Sequence, residues 1–179
     1  MKRIRQKLKP PKTITLGLEG KKLIVTGSAS HTWLLSAKKA VSEGLERLTA
    51  IDTDSVQDLD LAHFRLLKGR LEGRSIAFQS GTAKPLGNLR DFLKSTVDDW
   101  DELVRTAKIL GFSLTLEVTG QSDAVGAEEQ NRVLSLQRAS EIKKLLQEKG
   151  LDPESLTLES IQSTRVDPSL RRVILMIKR

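Results

Sequence analysis

One stretch, Leu114 to Ala139 (LTLEVTGQSDAVGAEEQNRVLSLQRA), constrains the fold more than any other. Leu114, Leu116 and Val118 alternate with Thr115, Glu117 and Thr119, the period-two pattern of a strand with one buried face. Gly120 and Gly126 bracket a polar loop. From Ala127 the chain is rich in helix formers, and Glu128 and Glu129 fall in the first turn, where carboxylates meet the positive end of the helix dipole. The later half of this helix has an apolar stripe of Ala139, Ile142, Leu145 and Leu146. Projected back at about 100° per residue, the stripe reaches Arg138, Ser135 and Asn131, so the core-facing side turns polar near its start. A guanidinium on such a face needs acceptors: it either pairs with a carboxylate of the protein or waits for an anion. Asp123, in the loop that opens onto the helix, is the obvious neighbour.

These residues carry a family resemblance. Gly120, Ser122, Asp123 and Gly126, then Asn131, Leu134, Ser135, Arg138 and Ala139, resemble the signature G-x-T-D-x-x-G followed by N-x-x-L-S-x-x-R-A of the OmpA-like peptidoglycan-binding domain, with Ser122 in place of Thr. The resemblance runs from about Ile76 to Ile177. It implies that Asp123 receives the ammonium and Arg138 the carboxylate of the zwitterionic end of diaminopimelate in the peptidoglycan stem peptide. Near its end the chain departs from the family, which has G-x-G-E after the third strand and Asn-Arg-Arg before the last. Here IQSTRVDP and Leu170, Arg171, Arg172 stand in those places.

The formal charge of +7 suggests a polyanion partner until it is divided along the chain. Residues 1–74 hold 15 Lys and Arg against 8 Asp and Glu, whereas residues 75–179 hold 15 of each. Six of the basic residues lie in MKRIRQKLKPPK, so the excess is a basic leader and nucleic acid is not the expected partner. Aromatic residues make up only 3% and Tyr is absent, which leaves little for base stacking. With no Cys and only His31 and His63, neither disulfides, thiolate metal sites nor a histidine metal cluster are expected. No stretch approaches the 18 or so apolar residues of a membrane span, and the leader lacks the apolar run of a signal peptide.

In chain order, residues 1–12 read as a basic linker that ends in an extended Pro-Pro segment. Ile14 to Leu18 and Lys22 to Thr26 read as a hairpin about Glu19-Gly20. After Gly27 the run WLLSAKKAVSEGLERL has a helical apolar face of Leu34, Ala37, Ala40, Val41, Leu45 and Leu48, and Ala50 to Val56 follows as a strand. The order hairpin, helix, strand resembles a BON domain whose leading helix is absent or replaced by the basic leader, extended to residue 72 by a connecting helix over Leu59–Leu71. Ser75–Phe78 reads as a short strand and Leu89–Leu110 as a helix with Gly111 as its C-cap. Leu156–Ile161 and Val173–Ile177 read as strands, the last apolar on both faces as a central strand is.

The expected fold is therefore α+β: a small N-terminal BON-like ββαβ unit (13–72), then an OmpA-like βαβαββ domain (73–179) with two long helices on one face of a mixed sheet. The expected ligand-binding residues are Asp123, Arg138, Asn131, Ser122, Ser135 and Arg172. Each has a plainer alternative: a turn or cap for Asp123 and Ser122, an internal Asp123–Arg138 salt bridge, an exposed helix face for Asn131 and Ser135, and a solvated pair for Arg171 and Arg172. Trp33, Trp100, His31 and His63 are expected to pack or to lie at the surface. No Cys nucleophile, Ser elbow, phosphate loop or carboxylate pair with a nearby His is present, so neither an enzyme nor a cofactor is expected. Glu128 and Glu129, adjacent on a helix, point in different directions. The resemblance implies noncovalent peptidoglycan binding by the soluble part of a larger periplasmic or envelope protein, with any membrane attachment through a segment outside this chain. A protein-interaction module of the envelope with an altered pocket is the alternative.

Overall fold

The computed structural model describes every residue from Met1 to Arg179. The chain forms two compact units, residues 1–65 with 109–111 and residues 66–108 with 112–179.

In the N-terminal unit, α1 (Lys2–Leu8) precedes a hairpin of β1 (Ile14–Glu19) and β2 (Lys22–Ala29), then α2 (His31–Ser42) and β3 (Ala50–Asp58). The sheet order is β1-β2-β3, with β1 antiparallel and β3 parallel to β2. Alternation in β2 buries Leu23, Val25 and Ala29, and α2 lays Leu34, Ala37 and Val41 into the same core. Gly27 is needed where β2 leaves the hairpin: its φ of +112° suits only glycine, and a Cβ would stand 2.0 Å from the carbonyl oxygen of Thr13.

Two expectations fail in this unit. The basic leader is not a linker, because Lys2–Leu8 is helical and buries Ile4 and Leu8, four residues apart, in the core of the unit. Burying two such side chains is worth about 1.5–3 kcal/mol each, enough to hold a short helix that its own hydrogen bonds would not. The cations stay in water on the other side, and the indole of Trp33 donates to the carbonyl of Leu8 at 2.9 Å. The α2 helix also stops earlier than its apolar stripe. Gly44, Glu46 and Arg47 take positive φ, so Leu45 and Leu48 reach the core from an irregular turn.

After α3 (Leu59–Leu71), the C-terminal unit contains β4 (Ser75–Ala77), α4 (Leu89–Ile109), β5 (Thr115–Ser122), α5 (Glu128–Glu148), β6 (Leu156–Gln162) and β7 (Arg172–Lys178). The mixed sheet has the order β4-β7-β5-β6, with β5 and β6 parallel and β7 antiparallel to both β4 and β5. The crossovers β4-α4-β5 and β5-α5-β6 therefore advance in the same direction across the sheet. Right-handed connections of this kind put both helices on one face. Beneath them Val173 and Leu175 of central β7, with Leu116 and Val118 of β5, are fully buried. The α4 helix contributes Leu93, Thr96, Trp100, Leu103 and Ala107 at three- and four-residue spacing, whereas Val104 is 38% exposed.

The α5 helix packs unusually close. Gly120 on β5 lies under it, and a Cβ there would stand 1.9 Å from the backbone oxygen of Ser135. This approach sets the height at which the first turns of α5 face the end of β5, which is where the site is built.

Candidate functional site

The loop from Ser122 to Ala127 joins the end of β5 to the start of α5 and is held by Asn131. Its side-chain amide donates to the carbonyls of Asp123 at 3.1 Å and Val125 at 3.0 Å. Together with the turn at Gln79–Thr82 and the start of β7, this loop encloses a cavity of about 480 Å3. Ser122, Asp123, Glu129, Asn131, Arg138 and Arg171 are among its polar lining residues, and Val133 and Leu134 among its apolar ones.

Arg138 is the largest fully buried side chain of the protein, at 1% exposure. Its Nε donates to the carbonyl of Thr82 at 2.9 Å, its Nη2 to that of Gln79 at 3.1 Å and its Nη1 to that of Gln121 at 3.4 Å. The guanidinium also lies 5.4 Å from the ring centre of Phe78. Burial, then the like charge of Arg171, push its pKa below the usual guanidinium value, and Asp123 opposes them. An arginine still keeps its charge. Its neighbours are thus carbonyl dipoles and an aromatic face, so the full positive charge has no carboxylate bonded to it.

Asp123 is 5% exposed and pairs with a different arginine. Both Nε and Nη2 of Arg171 donate to its Oδ2, at 3.0 and 2.7 Å. This bond raises the pKa of Arg171 and leaves Oδ1 without a hydrogen-bond partner. The internal alternative proposed from the sequence is therefore replaced by another: Asp123 is bridged, but across the sheet to a residue 48 positions away.

Ser122, Asn131, Asp123 and Arg138 all line the cavity; Ser135 and Arg172 do not. The Ser135 hydroxyl donates to the carbonyl of Arg132 and shares a hydrogen bond with the Ser160 hydroxyl on β6, so it fastens α5 to the sheet rather than orienting Arg138. Arg172 fails for a reason of parity. Successive residues of a strand point to opposite faces, and Arg171 shares the helix-covered side with Val173 and Leu175 while Arg172 turns away and binds Gln121 Oε1 at 2.8 Å. Glu129, at the cavity, is engaged by Arg132 on the same helix at 2.6 Å.

One atom at the site stands out. The Ser122 hydroxyl is buried, lines the cavity and has no hydrogen-bond partner. Such a group is costly, by about 1–3 kcal/mol, until a ligand or water satisfies it. The lining carries the guanidiniums of Arg138 and Arg171 and the carboxylates of Asp123 and Glu129, the latter bonded by Arg132, so a carboxylate fits at Arg138 and Ser122 and a cation at Oδ1 of Asp123.

No helix is long and apolar enough to cross a membrane. No curated protein matches the chain. Among solved structures, the chain is similar to the peptidoglycan-associated lipoprotein from Burkholderia pseudomallei, at 17% identity over 59% of this chain and 90% of that one, with a TM-score of 0.47. An outer membrane protein from Borrelia burgdorferi B31 is 17% identical over 60% and 87%, with a TM-score of 0.45. The C-terminal domain of Helicobacter pylori MotB is 20% identical over 59% and 84%, with a TM-score of 0.41. Residues 89–168, which run from the start of α4 past β6 and carry Ser122, Asp123, Asn131 and Arg138, match the OmpA family.

Proposed function

We propose that the C-terminal unit binds peptidoglycan noncovalently through the diaminopimelate of the stem peptide and so attaches an envelope protein to the cell wall. The observation that carries this reading is a cavity in which a buried guanidinium without a bonded carboxylate, a buried hydroxyl without a partner and one carboxylate oxygen without a donor converge. That set complements an amino-acid zwitterion. Its carboxylate sits between Arg138 and Ser122, and its ammonium at Asp123 Oδ1. The match of residues 89–168 to the OmpA family supports the same assignment.

The strength expected of such a site is modest. Two charge-assisted contacts contribute about 1.5–3 kcal/mol each, less the cost of ordering a flexible stem. Avidity along a polymeric wall supplies the rest. The N-terminal unit, whose order α1-β1-β2-α2-β3 has a leading helix in the place of the basic leader, is read as a separate BON-like module. The place of action is the periplasm or envelope. One observation favours the second reading, a protein-interaction module of the envelope: Arg171 already occupies Asp123 Oδ2.

Co-sedimentation with purified diaminopimelate-type peptidoglycan tests the proposal. Saturable binding that free stem tripeptide competes away is expected. Absence of the protein from the pellet at physiological salt contradicts the reading and leaves the interaction module.

A further inference from the structure

We infer that a groove on the N-terminal unit is a second binding site, built for a linear chain of phosphate groups of the polyphosphate kind. All of its residues belong to that unit, so it stands or falls independently of the wall reading.

Three segments far apart in sequence bring unpaired cations to one place. The start of α1 supplies Lys2 and Arg3, the turn between β1 and β2 supplies Lys21, and the irregular turn after α2 supplies Arg47. Together they line a groove of about 490 Å3. None of the four side chains is in an ion pair or a hydrogen bond. Glu46 is the one carboxylate in the lining, while Glu19, at the end of β1, acts on Lys22, which Asp52 already holds at 2.6 Å. Like charges gathered in this way repel one another, and an anion between them turns the repulsion into attraction.

The turn that carries Arg47 is strained. Glu46 and Arg47 take φ of +46° and +58°, in the left-handed region that residues with a Cβ rarely enter. Leu45 and Leu48, buried on either side, hold them there and leave both charged side chains exposed at the groove. The α1 helix is fixed as well, by Ile4 and Leu8 in the core and by the bond from Trp33 to the Leu8 carbonyl. The cations are thus displayed by ordered backbone rather than by a loose leader, which lowers the cost of binding.

Charge and shape set what fits. Cations from three segments suit tetrahedral phosphate oxygens, which accept from several directions. Beyond the groove the positive charge continues at exposed Arg5, Lys7, Lys9 and Lys12, so a chain of repeated charges gains contacts that a single phosphate does not. A bilayer would need an outward apolar face, but that of α1 is spent on its own core, which leaves Met1 and Leu18 as the exposed apolar residues at the groove. No aromatic residue lines it, so bases have nothing to stack on.

The test is calorimetric titration of the full chain with inorganic polyphosphate at physiological salt. Saturable binding that weakens steeply as salt is raised is expected. The variant Lys2→Gln/Arg3→Gln/Lys21→Gln/Arg47→Gln, changed only at exposed positions, should keep the wild-type thermal midpoint and lose about tenfold or more in affinity. Arg47→Gln alone should lose about threefold. The same loss of charge at exposed Lys38, Lys39, Lys144 and Lys149 should cost less than about threefold. Absence of binding by the wild type overturns the inference, as does an equal loss in the two quadruple variants, which would reduce the effect to net charge. Tighter binding to single-stranded DNA of equal charge, or to vesicles of anionic phospholipid, than to polyphosphate also overturns it, by assigning the groove to nucleic acid or to membrane.

Discussion

Removing the guanidinium of Arg138 should loosen the C-terminal unit as well as empty the site, because this side chain holds two segments together. It donates to the carbonyls of Gln79 and Thr82 in the β4–α4 loop and of Gln121 in β5, and it is 1% exposed. Arg138→Ala leaves those three carbonyls short of a donor and opens a void beside Phe78. Three lost bonds from a charged donor sum to about 4–9 kcal/mol on paper. The relief of the guanidinium's own burial penalty and entry of water from the adjoining cavity offset much of that. A net loss of about 2–4 kcal/mol remains, or roughly 5–15 °C in thermal midpoint for a chain of this size. Arg138→Lys keeps the charge without the planar fork, and should lose about half as much. Thermal unfolding followed by circular dichroism gives the midpoints. Hydrogen exchange then localises the change: the amide of Thr82, bonded to the Gln79 carbonyl at 3.2 Å, should lose protection before the strands do. A midpoint within about 1 °C of wild type for Arg138→Ala, with the loop still protected, refutes this reasoning.

Gly120→Ala should destabilise the C-terminal unit by about 2–3 kcal/mol or more in urea unfolding, since the new methyl meets the backbone of Ser135 rather than a side chain that can move. Ile4→Ala or Leu8→Ala should cost the N-terminal unit about 2–4 kcal/mol, whereas changing exposed Lys2, Arg3 and Arg5 to Gln should cost under ~0.5 kcal/mol in the same assay. Those Gln variants should also sediment with peptidoglycan as wild type does; a marked loss would move recognition to α1. Asp52 is held below the usual carboxylate range by the hydrogen bond from Lys22 Nζ at 2.6 Å and then by the backbone N–H of Asp54. Its contribution is present above the unfolded value near pH 4 and is lost as pH falls through the lower folded value. Wild type and Asp52→Asn should therefore converge in stability only as acid titration passes below about pH 4.

Periodicity carried most of the architecture. The alternation in β5 and the helical stripe of α5 are local signals. They place Asp123 and Arg138 at one end of the sheet because a strand, a short loop and a helix leave little choice. Arg171 was not legible as the partner of Asp123, since that bond closes across 48 residues and depends on which face the first residue of β7 takes. The Gln79 and Thr82 carbonyls that hold Arg138 are backbone groups, which every residue has and no sequence marks. Six cations in twelve residues hid the two-residue apolar stripe of α1, and α2 ends before left-handed Gly44, a stop signal masked by the apolar stripe that runs on to Leu48.

The measurement closest to the central claim is calorimetric titration of the diaminopimelate-containing stem tripeptide into wild-type protein and into Arg138→Lys, at a temperature where both remain folded by circular dichroism. The account predicts saturable one-to-one binding to wild type and affinity weakened about tenfold or more in the variant, because an ammonium cannot present the fork that meets a carboxylate in the cavity. Failure of the wild type to bind, or equal affinity in the two folded proteins, contradicts it.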